Sequence, residues 1–111
     1  MDADAYEDYR RAIHDPATVH AMREAHRAGL GVDREHDEAD RTAARRIGCP
    51  LQLLWPTSDD MVDLYGDVLS DWRDWAGDRL DGDPIASVHH IVEEAPEVLT
   101  TALLEFWRST P

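Results

Sequence analysis

The clearest pattern along the chain starts at Met61. Apolar residues recur at Leu64, Tyr65, Val68, Leu69 and Trp72, which are the i+3, i+4, i+7, i+8 and i+11 positions. That spacing puts one stripe on one side of a helix, and it predicts a single helix over 61–72 with Ser58 as its N-cap. Gly77 ends the helix, and the cluster Asp81-Gly82-Asp83-Pro84 reads as a turn. A second stripe, Val98, Leu99, Ala102, Leu103, Phe106 and Trp107, predicts a last helix opened by Pro96. Two short apolar runs carry no helical period. Cys49 to Trp55, bounded by Gly48 and Pro56, and Pro84 to Val88 are predicted strands.

The first half has a different texture, and the break falls near Gly48. Residues 1–47 are rich in charge, Ala and His, and they predict short helices. Tyr6, Tyr9, Arg10 and Ile13 form a loose stripe in the first. Asp15 and Pro16 supply the N-cap and first position of a second helix, which runs to Ala28 and stops at Gly29. The segment 33–46 is too polar to bury a face and is expected to be a surface helix or a loop.

Residues 48–111 therefore read as strand, helix, strand, helix, an α/β class with parallel strands. The run at 50–55 is nearly all apolar, as in strands buried on both faces. Such a strand expects neighbours on each side, yet the pattern offers one. The expectation is the end of a larger sheet whose other strands lie outside these residues.

Composition narrows the function. Of 111 residues, 24 are acidic and 11 basic, a net charge of −13. This excludes nucleic acid and anionic membrane as electrostatic partners. No run approaches the roughly 18 apolar residues of a membrane span. Cys49 is the single cysteine, so there is no internal disulfide or cysteine zinc site, and a reducing, cytoplasmic setting is expected. Cys49 itself is expected to be a small buried residue.

The stretch His89-His90-Ile91-Val92-Glu93-Glu94-Ala95-Pro96-Glu97 resembles the histidine loop of α/β-hydrolases, and more narrowly that of the haloacetate (fluoroacetate) dehalogenase group. Tyr9-Arg10-Arg11, Asp15-Pro16 and Arg27-Ala28-Gly29 resemble late helices of that group's cap, and 33–37 does too. Cys49 to Trp55 and Val68 to Arg73 resemble its penultimate strand and the helix after it. The resemblance implies a partial α/β-hydrolase fold: residues 1–47 would be the end of the cap, and 48–111 the last two strands and helices of the core. It also implies an activity in the parent. An aspartate displaces halide from a small haloacid, and a histidine activates water to cleave the ester, without a cofactor.

His89 matches the histidine base, with Val88 where the group has Gly. Asp59 and Asp60 stand after the preceding strand, where many α/β-hydrolases carry the acid that orients the histidine. They also make a good helix N-terminus. His26 matches the position of a halide-binding Tyr, against a plain reading as a polar residue on a helix. His90 is given a packing role. No stretch resembles the aspartate elbow, so the chain alone is expected to be inactive. The alternatives are an epoxide- or ester-hydrolase relative, and a non-catalytic binding or assembly module that self-associates or accepts a complementing fragment.

Overall fold

The computed structural model describes residues 2–110, apart from the side chains of Met61 and Val62. It is a mixed helix-and-strand structure with two parallel strands, and it divides into two compact units, 1–45 and 46–111.

The first unit is three helices: α1 (Ala3–His14), α2 (Pro16–Gly29) and α3 (Val32–Thr42). Their starts follow from local chemistry. The Asp2 side chain accepts the Asp4 N–H, and the Asp15 side chain accepts the Ala17 N–H at 2.9 Å, with Pro16 in the first turn where no donor is needed. The polar segment left open between helix and loop is the helix α3, opened by Asp33 and Glu35 in its first turn. No residue of the three helices is buried. Their polar surface is laced with pairs three residues apart, such as Arg10 with Glu7 at 2.8 Å and Arg27 with Glu24 at 3.1 Å. Exposed pairs like these add little stability.

The second unit is built on β1 (Leu51–Pro56) and β2 (Leu80–Ile85), paired in parallel with Leu51 opposite Leu80 and Pro56 opposite Ile85. The pairing extends past both ends. The Ile47 N–H bonds the Trp75 carbonyl, and the Thr57 and Ser58 N–H groups bond the Ile85 and Ser87 carbonyls at 3.0 Å. One side of the pair holds α5 (Val68–Arg73), whose Leu69 packs with Trp55 over Gly82. Gln52, on the opposite face, donates to the Ala102 carbonyl of α7 (Pro96–Ser109). The Arg79 guanidinium bonds the Ser109 carbonyl and hydroxyl at the end of α7 and lies over the Phe106 ring. Arg46 donates to the carbonyls of Arg73, Asp74 and Ala76, closing the last turn of α5.

Four expectations are corrected. The predicted helix over 61–72 is two, α4 (Met61–Tyr65) and α5. Gly66 takes φ +71° and Asp67 caps α5 through the Leu69 and Ser70 N–H groups, so the local chemistry of Gly-Asp overrides the stripe. Leu64 and Tyr65 are exposed, and the Met61 side chain lies outside the described residues. The second strand is shifted upstream, from 84–88 to 80–85, so the presumed turn Asp81-Gly82-Asp83-Pro84 forms its middle. A Cβ at Gly82 would fall 2.6 Å from Leu69 Cδ2 and 3.0 Å from Trp55 Cζ3, so glycine is there for packing, not for a turn. Cys49, expected to be buried, is exposed, because it precedes β1 and lies outside the helix-covered part of the strand pair.

The strand β1 is half-buried at every residue instead of being covered on both faces. Among the described residues, Ile85 at 2% exposure and Ser87 at 8% are the fully buried ones. Large side chains of α7 such as Trp107, 81% exposed, stay open.

Gly82→Ala is expected to destabilise the second unit by about 1–3 kcal/mol through overpacking. Gly48→Ala, which meets nothing within 4 Å, should change stability by less than about 0.5 kcal/mol. Urea midpoints of the two variants check this, and equal midpoints would remove the packing role of Gly82.

Candidate functional site

The parallel register brings two loops to one end of the strand pair. Asp59 follows β1 and His89 follows β2, both past the carboxyl ends of their strands, which is where open α/β sheets place ligand sites. The Ser58 N–H bond to the Ser87 carbonyl carries the pairing out to the residue before Asp59.

There the His89 ring, 74% exposed, hydrogen-bonds through Nδ1 to Oδ2 of Asp59 at 2.8 Å. The Asp59 side chain is 11% exposed, and its other oxygen, Oδ1, accepts the Asp60 N–H at 2.6 Å. Hydrogen bonding with the Asp60 carboxyl, and next with His89, holds Asp59 below the ordinary carboxylate range. Asp60 moves the other way, raised by its hydrogen bond to Asp59 and by repulsion from that charge. One carboxylate is thereby kept ionised and fixed on the ring. An ionised carboxylate only accepts, so the Nδ1 proton faces Asp59 and the Nε2 lone pair is left for a proton from elsewhere. That is the arrangement of a general base with its orienting acid.

The ring bonds Asp59, and the Asp60 carboxyl hydrogen-bonds Asp59 and favours its charged form. His90 stands beside the pair, its ring meeting the His89 ring edge-on at 5.2 Å between centroids. His26 belongs to the other unit. It lies on α2, where its Nδ1 bonds the Met22 carbonyl at 2.8 Å, in the wall of a cleft of about 520 Å³ lined by Ile13, Val19, Met22 and Leu30 with Arg23 and Arg27. The Nδ1–Met22 bond is local to the helix and is sufficient to account for the ring's orientation.

One contact is not legible from residue types. The Glu94 carboxylate accepts the N–H of Val88 at 2.5 Å, directly before His89. Glu94 ends α6 (Ile91–Glu94), a four-residue helix too short to leave a periodic signal. Its spacing from the histidine was the one sign available, and on sequence it reads as part of the last helix's approach.

No family model matches the chain.

Carbon-detected titration of the carboxyl groups is expected to give Asp59 a midpoint below about 3.9 and Asp60 one above it. Asp60→Ala should raise the Asp59 midpoint more than His89→Ala does, since Asp60 is the larger cause. A lowered carboxylate pKa stabilises above its unfolded value and ceases to do so as pH falls through the folded one. The Asp59–His89 contact should therefore survive to a pH below the usual carboxylate range and then open.

Proposed function

We propose that residues 46–111 are the carboxyl-terminal portion of an α/β-hydrolase-type core, with His89 as the base and Asp59 as its orienting acid. The observation that carries this reading is the 2.8 Å bond from His89 Nδ1 to a largely covered carboxylate at the carboxyl end of a parallel strand pair. The histidine-loop sequence from His89 to Glu97, which resembles that of haloacetate dehalogenases, supports the same reading. In such an enzyme an aspartate carboxylate attacks the carbon next to the substrate carboxylate. The carbon–halogen bond breaks and halide leaves. His89 Nε2 then takes a proton from water as the water attacks the ester carbonyl. The acyl C–O bond breaks, the hydroxyacid leaves with a proton returned from the histidine, and the aspartate is regenerated as its carboxylic acid, which loses its proton to solvent.

His89 has its carboxylate partner in Asp59, and an acid that orients the ring cannot also serve as the nucleophile on the far side of it. No stretch of the chain resembles the aspartate elbow of that group, so the nucleophile is assigned to a segment outside these residues, and the chain is proposed to supply the base half of the reaction. The substrate class is a small haloacid, handled without a cofactor.

A second reading, a binding or assembly module without catalysis, has one observation in its favour. The strand β1 pairs with β2 alone among the described residues, and each of its residues is half-buried. An apolar strand with an open edge invites another strand.

Complementation decides between them. The chain is mixed with the amino-terminal part of a haloacetate dehalogenase that retains its aspartate elbow, and halide release from haloacetate is followed. The expected result is activity from the mixture and none from either part. His89→Ala should lower the mixture's rate by about 10²–10⁴-fold. Halide release by the chain alone would overturn the assignment of the nucleophile elsewhere. Silence from a mixture that does associate would overturn the hydrolase reading and leave the module.

The module reading makes its own forecast. Sedimentation should show reversible self-association that strengthens with concentration, and a charged substitution on the strand, Leu53→Lys, should weaken it. A monodisperse monomer with one cooperative unfolding transition would sink it.

A further inference from the structure

We propose that Glu94 is a positioning residue for His89: its carboxylate holds the N–H of Val88 and thereby sets where the His89 ring stands against Asp59. The inference rests on His89 being the working histidine of the reading above.

The backbone around His89 has two anchors and a gap between them. On the strand side, the Ser87 carbonyl accepts the Ser58 N–H at 3.0 Å, and the buried Ser87 hydroxyl reaches the Ile85 carbonyl. Past Ser87 the sheet-type bonds end. On the helix side, the His90 carbonyl accepts the N–H groups of Glu93 and Glu94 at 3.1 and 3.0 Å, which starts α6. Val88 and His89 lie between, and both are exposed. Glu94 closes the gap. Its main-chain N–H is tied to His90, and its side chain returns to the Val88 N–H at 2.5 Å. The five residues from His90 to Glu94 thus form one turn that clasps the Ser87–Val88 peptide, whose carbonyl already accepts the Ser58 N–H.

An exposed N–H can be satisfied by water, so satisfying the donor does not require Glu94. What the carboxylate adds is direction. A hydrogen bond to an ionised acceptor is shorter and roughly twice as strong as a neutral one. It ties the Ser87–Val88 peptide to the turn that follows His89, so that the loop carrying His89 is held at both ends, and this narrows the ring positions from which Nδ1 can reach Asp59. Val88 is β-branched, which stiffens the same residue further.

The test uses the whole chain and nuclear magnetic resonance. In the wild type, the Val88 amide proton should resonate at low field, as expected of a short bond to a carboxylate. Long-range proton–nitrogen spectra in alkaline solution should show the His89 proton on Nδ1. Glu94→Ala should speed Val88 amide exchange by about tenfold and turn the His89 ring into a mixture of tautomers. The Thr57 and Ser58 amides, which report the strand pairing, should stay in place. Glu94→Gln keeps an acceptor oxygen and should restore most of the Nδ1 tautomer. The proposal is overturned if the tautomer is unchanged in Glu94→Ala. It is also overturned if the strand-pair amides shift along with it in both variants, because Glu94 would then act through folding. Because none of these signals depends on turnover, a silent complementation assay with the tautomer shift intact would fail the hydrolase reading alone. An active mixture with an unmoved tautomer would fail this inference alone.

Discussion

Everything that this chain can do with His89 depends on the register between β1 and β2. Parallel strands end at the same edge, so the loops that leave them are neighbours whatever their sequences. With Pro56 opposite Ile85, Asp59 stands three residues beyond one strand end and His89 four beyond the other. Bonds from Thr57 and Ser58 extend the ladder to within one residue of Asp59. A slip of one residue would turn the side chains of one strand to the other face and draw Asp59 away from the ring. Gly82 guards that register, since only its missing Cβ lets Leu69 and Trp55 close over the middle of β2.

Two helices, one on each face, complete what the strand pair can bury. Leu69 comes from α5, and α7 is tied down on the other face by Gln52 and by Arg79, which links the start of β2 to Ser109. These polar ties are specific in direction, but they cover little apolar area. Parallel sheets are stable when several strands are covered on both faces. Here β1 is half-buried throughout and the described core comes down to Ile85 and Ser87. The edge of β1 and the open side chains of α7 are therefore where further strands or a partner would add the most burial per residue ordered.

Much of this was legible in the residues, for reasons that differ from element to element. The caps Asp15-Pro16 and Pro96 act locally, so α2 and α7 start where the sequence indicates. The run from Leu51 was readable as a strand because no helical period competes with it. The stripe over 61–72 does not make one helix, because a stripe is a statement about packing, and a glycine able to take φ +71° next to an aspartate cap is a stronger local instruction. The second strand was displaced because Asp-Gly-Asp-Pro has the composition of a turn. Its strand conformation comes from side chains distant in sequence, Trp55 and Leu69, that need the space at Gly82. For the site, Asp59 and His89 were both nameable, but the choice between Asp59 and Asp60 needed the bond lengths. Glu94 was invisible as a contact, because nothing in a run of two glutamates says which one turns back.

The two carboxyls beside His89 illustrate why adjacency in sequence does not make them equivalent. Both follow β1, and either could face a histidine arriving from β2. Asp59 is the more covered, and it accepts the N–H of Asp60 on one oxygen and the ring on the other. Hydrogen bonding with the Asp60 carboxyl, and next with the ring, favours its charged form against the cost of partial burial, and the Asp60 N–H adds to this. Asp60 is raised in turn, by its hydrogen bond to Asp59 and next by that charge. Neighbouring carboxyls therefore split, one kept ionised on the ring and one pushed toward its neutral form. The histidine ring is thereby tied on one side to a carboxylate while most of its side chain stays exposed. Its Nδ1 is committed within the chain.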